Sequence, residues 1–459
     1  MKRRDALRSI GALAGAGAAA RFLGGCGDNR AHRESGITTI VTVMMENRSY
    51  DHYLGARSLE GMPGDGLVRG MSNPDGDGGA VEIYPESAGG ICIPDPPHSW
   101  SSSRVQFDDG ANDGFVQAYR ERHGQVPPYV MGYFTRETLP ATWGIADAYA
   151  SCDRWFSSLL GPTWPNRMYY HSGQSGGLTQ NVLPERGGID WPSIHHRLSD
   201  AGVPWAYYYQ DLPFVPLFKG VEIEGTIRRL ASDFFDDAAA GRLPSVCFVE
   251  PAFTANDDHP PHHPMLGQAF LRSVYAALAA SPQWENCLFI VTYDEAGGFF
   301  DHVPPPTAVD DRAAAGFDQL GFRVPAVVAG PYVKRGHVSS VVRDHTSVLA
   351  HLDRMFGLEP LTARSAAAED LGELIDVDRL AAGDPAPPAE LAPVEIDESM
   401  IDDACFGARR DPAHTDIARL ADAGFFAPSL DRRREVRDSL HAIGEALERL
   451  NAGRLRRGR

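Results

Sequence analysis

The run Ile37-Thr38-Thr39-Ile40-Val41-Thr42-Val43-Met44-Met45 constrains the fold of this chain more than any other segment. It is rich in β-branched residues and almost unbroken in hydrophobicity. A strand with one wet face would alternate, whereas a strand buried on both faces of a sheet reads like this one. The run breaks directly into Glu46-Asn47-Arg48-Ser49-Tyr50-Asp51-His52. In open α/β sheets ligands bind beyond the carboxyl ends of the strands, so a polar burst at this point marks a candidate site.

Three further apolar runs have strand character: Ser245 to Glu250, Cys287 to Tyr293 and Val324 to Ala329, with Trp205 to Tyr209 as another candidate. Helical periods lie between them, at Ile194 to Ala201, Phe270 to Ala280 and Ser347 to Phe356, and a helix is expected near Gly114 to Arg122. Strand alternating with helix predicts an α/β fold: a mostly parallel central sheet with helices on both faces. Residues from Gly61 to Pro97 are rich in Gly, Pro, Asp and Ser and read as a long irregular loop. Asp75 and Asp77 in it read as a solvated turn, because the bidentate Glu of a calcium loop is missing. After Leu361, Ala, Asp and Pro dominate to Pro393; Ser429 to Leu450 then reads as an amphipathic helix, and Arg454 to Arg459 is expected to be disordered. The expected organisation is a signal segment over 1–30, a catalytic domain over 37–360 and a partly helical C-terminal extension over 361–459.

The signal reading rests on Lys2, Arg3 and Arg4 ahead of a small-residue apolar stretch from Ile10 to Ala20, a pattern that suggests twin-arginine export. Leu23-Gly24-Gly25-Cys26 resembles a lipobox, which would lipidate Cys26 and anchor the exported protein peripherally to a membrane. The alternative is a periplasmic or extracellular protein without an anchor. The apolar stretch is too short to span a bilayer, which takes ~20 residues. The net charge of −18 argues against nucleic acid as a partner, because phosphate backbones require clustered Lys and Arg. The six cysteines include no C-x-x-C pair, which excludes a cysteine zinc cage and a thioredoxin-like site. Cys247 and Cys287 read as buried thiols, and an exported chain could form up to two disulfides.

In a parallel sheet the strand ends converge on one edge, so Glu46, Asn47, Asp294 and Glu295 can meet there. Carboxylates held together cannot all stay ionised without a cation between them, and oxygen donors of this kind suit a divalent metal ion, whose identity stays open. A hydroxyl placed beside such a metal becomes a nucleophile at mild pH. Thr163 is the best-placed hydroxyl, in the turn Gly161-Pro162-Thr163-Trp164-Pro165-Asn166-Arg167, which two prolines stiffen. Asn166 and Arg167 are expected to donate to a tetrahedral phosphate.

The set resembles the bacterial phosphoesterase family, which holds non-haemolytic and plant non-specific phospholipases C and some acid phosphatases. The resemblance lies in Met44 to Gly55, Gly161 to Arg167, Thr292 to Pro306, Gly321 to Pro325 and Asp344 to Ser347, in matching order over roughly 37 to 360. It implies an alkaline-phosphatase-like fold, metal ligation by Glu46, Asn47, Asp294 and Glu295, and Thr163 as a metal-bound nucleophile that forms a phospho-enzyme. It also implies that His98 and His259 steady phosphate oxygens or serve the leaving group. His302 and His345 are motif members for which a structural role and a site role both stand. The chain departs from the longer phospholipases C in ending on a helical extension instead of β-domains.

The resemblance implies a phosphoric ester hydrolase acting on a phospholipid or another phosphate ester. The threonine in the nucleophile motif resembles the phospholipase C branch, with a phosphomonoesterase as the alternative and a lipoprotein that binds metal or ligand without turnover as a third. Gly173-Gln174-Ser175-Gly176-Gly177 fits the nucleophile elbow of a serine hydrolase, but the residues before Ser175 make a weak strand. Trp100, Trp143, Trp164 and Tyr207 to Tyr209 could build an aromatic cage for choline, although such residues are more often core.

Overall fold

The computed structural model describes residues 36–86, 93–124, 128–182, 188–253, 255–402 and 432–456. The signal segment and lipobox, with Cys26, lie outside them, as do Cys92 and Cys405.

Eight strands make the central sheet. In chain order they are β1 (Thr39–Met45), β2 (Ala150–Cys152), β3 (Trp205–Tyr209), β4 (Ile227–Arg229), β5 (Val246–Val249), β6 (Cys287–Tyr293), β7 (Val327–Ala329) and β8 (His337–Ser339). Their spatial order is β8-β2-β7-β6-β1-β5-β3-β4. β1 is central, paired in parallel with β6 on one side and β5 on the other. All seven of its residues are buried, as its unbroken hydrophobicity requires. β7 alone runs antiparallel to its neighbours, so the sheet is mixed but mostly parallel.

Helices cover both faces. The main ones are α1 (Trp100–Phe107), α2 (Phe115–His123), α3 (Pro140–Ala148), α4 (Thr163–Ser172), α5 (Ile194–Asp200), α6 (Pro264–Ala279), α7 (Thr346–Phe356) and α8 (Arg432–Arg449). Successive residues of a strand point to opposite faces, and β1 shows which helix lies where. Thr42 Oγ1 meets the Tyr170 hydroxyl of α4 at 2.6 Å, while Thr39, of opposite parity, accepts from Gln283, just beyond α6, at 3.1 Å.

The apolar runs foreseen at 245–250, 287–293 and 205–209 are β5, β6 and β3. The run at Val324 contributes strand only from Val327, and the three-residue strands β2, β4 and β8 are too short to leave a periodic signal. Asp75 is a turn residue as expected, its Oδ1 accepting from the backbone of Asp77 at 2.9 Å and Gly79 at 2.8 Å. The expectation of disorder at Arg454 is corrected. Gly453–Arg456 forms a strand, β10, paired in parallel with β9 (Val394–Asp397). The segment alternates, with Leu455 turned inward and Arg454 and Arg456 both on Glu395, so a period-2 pattern lay beneath the basic composition. Among the described residues no helix is long and apolar enough to cross a membrane.

Candidate active site

Register alone brings the acids together. Met45 pairs with Tyr293 across β1 and β6, so Glu46 and Asp294, each the next residue, leave the sheet side by side. Val43 pairs with Val249, which brings Glu250 to the same edge from β5. The backbone fixes these exits: Asp294 N–H donates to Met45 O at 3.0 Å and Glu46 N–H to Asp257 O at 2.8 Å. Asn47 then turns the chain with φ of 59°, a left-handed conformation that Asn tolerates better than most residues, and its N–H donates to Asp294 Oδ1 at 3.0 Å. Gly297, at φ 63°, packs so closely that a Cβ there would lie 2.1 Å from Asn47 O. A side chain would therefore push the two strand ends apart.

α4 supplies the hydroxyl. Thr163 is its first residue, 3% exposed, directly after Pro162 in extended conformation. The amide of Asn166 is spent on the turn: Nδ2 donates to Gly161 O at 3.0 Å and Oδ1 accepts from Leu159 N–H at 3.1 Å. Asn166, expected to donate to phosphate, therefore holds the Thr163 turn in shape. One helical turn on from Thr163, and on the same face, Arg167 reaches the acids. Its guanidinium lies 3.0 Å from Glu46 Oε1 and 3.5 Å from Asp294 Oδ2, and it also pairs with Glu250. The fork is committed to carboxylates here, not to a phosphate as expected. Glu250, which sequence reading passed over, accepts from Tyr207 Oη as well. Its signal was available, an acid directly after a core strand, the same position that marks Glu46.

His98 and His259 lie beside these acids, His259 buried and His98 in the wall of a cleft. His98 Nδ1 donates to Pro96 O at 2.8 Å, which turns Nε2 inward, 3.5 Å from Asn47 Nδ2 and 3.8 Å from Glu295 Oε1. His259 Nδ1 donates to Pro260 O at 2.6 Å, and its ring meets that of His98 edge-on at 5.7 Å. Asp95, a residue the sequence did not single out, joins them: Asp95, His98 and His259 offer ligand atoms that all lie within 4.8 Å of one another, a group able to hold a metal ion.

Burial sets the electrostatics. It raises the carboxyls of Asp294 and Glu295 above their ordinary range, Arg167 and His98 opposing, and pushes Glu250 up to about 7. His98 is pulled down by burial but raised on balance to about 9 by Asp95, Glu295 and the Pro96 carbonyl. Asn47 Oδ1, Asp294 Oδ2 and Glu295 Oε1 are buried acceptors that receive no hydrogen bond. Buried hard oxygen acceptors without a hydrogen bond suit a divalent cation, so the chemistry of these residues fits such an ion, with Arg167 the cation that now stands beside Asp294.

A family model described as the Phosphoesterase family matches residues 37–359. The chain belongs to the Phosphoesterase family. The chain is 35% identical over 377 residues to Non-specific phospholipase C1 of Arabidopsis thaliana, covering 72% of this chain and 69% of that one. It is 31% identical over 431 residues to Phospholipase C A of Mycobacterium tuberculosis, covering 78% and 81%. Among solved structures, the phosphonate monoester hydrolase of Agrobacterium radiobacter aligns at a TM-score of 0.38 and 10% identity, over 74% of this chain and 77% of that one. Membership in the Phosphoesterase family makes this chain a phosphoric ester hydrolase.

The other residues of the Phosphoesterase motifs now divide. His345 donates from Nε2 to Asp294 O at 2.6 Å and so holds the strand end from behind. His302 lies in a separate network, 2.6 Å from Asp51 and 3.1 Å from Asp65, with Arg323 between Asp51 and Asp301. Ser175 is no nucleophile elbow. Helix α4 precedes it instead of a strand, and its hydroxyl donates to Leu178 O at 2.9 Å. Trp143, Trp164, Tyr207 and Tyr208 are buried in the core and form no choline cage.

Proposed function

We propose that this chain is a phospholipase C that cleaves phospholipid phosphodiesters through a phosphothreonine at Thr163. The observation that carries the reading is that Asn47, Asp294 and Glu295 keep buried acceptors without a hydrogen bond at the strand ends that Arg167 reaches from α4, the helix Thr163 begins. The names of the relatives favour a phospholipid over a simple monoester. Glu46, Asn47, Asp294 and Glu295, with the Thr163 hydroxyl, would hold a divalent cation, which when bound neutralises the acids and makes the hydroxyl more acidic.

Thr163 Oγ1 bonds to phosphorus as the P–O bond to diacylglycerol breaks. The imidazoles of His98 and His259 donate from Nε2, one to a phosphate oxygen and one to the departing oxygen, and the proton lost by Thr163 makes good the one given up. Water then cleaves the phosphothreonine: its hydroxyl goes to phosphorus, its proton returns to Thr163, and the phosphorylated headgroup leaves. Arg167, held by Glu250, keeps Glu46 and Asp294 aligned. Asn166 fixes the turn that aims Thr163.

Residues 1–30 we read as a twin-arginine signal that carries the folded enzyme to the periplasm or beyond, with Cys26 as a lipid anchor. Replacing Arg3 and Arg4 by Lys should leave the protein in the cytoplasm, and labelled palmitate should enter the wild type and not Cys26→Ala. The test of function compares phosphatidylcholine, phosphatidylethanolamine, phosphatidylglycerol and p-nitrophenyl phosphate after chelation and metal add-back. Diacylglycerol release restored by metal is expected; turnover of the monoester alone would make the enzyme a phosphatase.

A further inference from the structure

A cleft of about 520 Å³ opens beside the nucleophile turn, with His98 and Pro162 in its wall. Resting on the phospholipase C reading, we propose that this cleft receives the headgroup that stays on phosphorus, and that it selects an uncharged polyol such as glycerol, inositol or a sugar over a quaternary ammonium.

The wall is built of hydroxyls and amides: Ser99, Ser101 and Ser102, whose hydroxyls meet one another at the start of α1, and Thr179, Gln180 and Asn181. Such groups both donate and accept, which matches a polyol and offers a trimethylammonium group nothing. A quaternary ammonium is recognised by open aromatic faces or by an acid. Among the described residues of this wall the single Trp, Phe or Tyr is Trp100, and its cation–π position is filled from within. The Arg104 guanidinium lies 3.4 Å from the ring centroid, fixed there by donation to Trp100 O and Leu160 O, both at 2.9 Å. Phe317 packs on the same ring at 5.2 Å. Among the described residues of the wall the one acid, Asp95, is 3.4 Å from the His98 imidazole. The starts of α1 and α4 add positive potential, so the described part of the wall disfavours a cation.

Asn181 places this selectivity next to the chemistry. Its Oδ1 accepts from Trp164 N–H at 2.9 Å, one residue beyond Thr163, which leaves Nδ2 to donate into the cleft.

The test uses soluble chromogenic diesters, so that membrane charge plays no part: p-nitrophenyl phosphoglycerol against p-nitrophenyl phosphorylcholine, with p-nitrophenyl phosphate alongside. The full mature enzyme loaded with metal should favour the glycerol diester at least about tenfold in kcat/KM, or about 1.4 kcal/mol. Arg104→Ala, which uncovers Trp100, should narrow that ratio at least about threefold by improving the choline diester. Asn181→Asp keeps the acceptor for Trp164 and should narrow it from both sides. Equal rates on the two diesters, or a choline preference, in the wild type would overturn the headgroup assignment while leaving the phospholipase reading intact. Turnover of the monoester with neither diester cleaved would overturn both.

Discussion

With its guanidinium among Glu46, Glu250 and Asp294, Arg167 sets one fixed positive charge against three buried acids. Removing one partner from such a set leaves uncompensated charge in a low-dielectric site, which typically costs about 3–5 kcal/mol. Arg167→Met should therefore lose about that much stability in urea unfolding with chelator present, and a divalent cation should restore part of it. A loss below about 1 kcal/mol would mean the acids are already neutral without Arg167. Thr163, proposed above as the nucleophile, separates the two effects, because Ala removes only a hydroxyl and one buried methyl. Thr163→Ala should cut turnover by about 10³-fold or more while stability falls by no more than about 1 kcal/mol; near-wild-type turnover would remove Thr163 from the mechanism. Asp294→Asn should lower the metal bound per chain, measured by elemental analysis after dialysis, and unchanged stoichiometry would take Asp294 out of the ligand set.

At the scale of elements, the parallel register of β1 with β6 and β5 turns three sequence-distant acids into neighbours. That much was legible, because a strand buried on both faces announces itself and the acid after it needs no further search. Glu46 and Asp294 were expected at one edge on this ground and the register puts them there, and Glu250 could have been expected with them. Arg167 was found but misread: its partners come from three strands, and no local pattern says whether a guanidinium turns to a ligand or to the protein. Asp95 was passed over although it stands three residues before His98, because an irregular loop has no periodicity to say that both turn toward His259. His302 shows the same limit. It sits in a motif beside the site acids, yet it ties the loop after β6 to Asp51, beyond β1. Burial lowers its pKa, but Asp51 and Asp301 outweigh this and raise it from 6.5 to about 9. A folded pKa above the unfolded one stabilises in full below the unfolded value and fades as pH rises through the folded one. His302→Gln should thus cost about 1–2 kcal/mol near pH 6 and close on the wild type by about pH 10, in urea titrations across that range. A gap that stays constant with pH would show that the imidazolium contributes nothing there.

At the scale of the whole molecule, the question is whether the C-terminal extension is a separate unit or part of the catalytic body. Its first half is bound to α6 and the residues just beyond it by hydrogen bonds: Arg272 donates to Ala392 O at 3.1 Å, Tyr275 to Ala389 O at 2.7 Å and Trp284 to Ala386 O at 3.0 Å. The second half is locked on by β10. Val394 and Ile396 of β9 are buried, and Leu455 packs so tightly on α8 that a Cβ at Gly444 would lie 2.6 Å from Leu455 Cβ. Deleting 453–459 strips the partner from β9 and uncovers part of α8, contacts in which Thr163, Glu46, Asp294 and Glu295 take no part. Burial of a side chain the size of leucine is worth about 1.5–3 kcal/mol, so the deletion should lower the stability of the whole chain by at least that much. If the extension and the catalytic body fold as one, thermal unfolding of the truncated protein should remain a single transition at lower temperature, with kcat/KM near wild type well below it. Two transitions, the upper one unchanged from the wild type, would instead make the extension a unit that unfolds by itself.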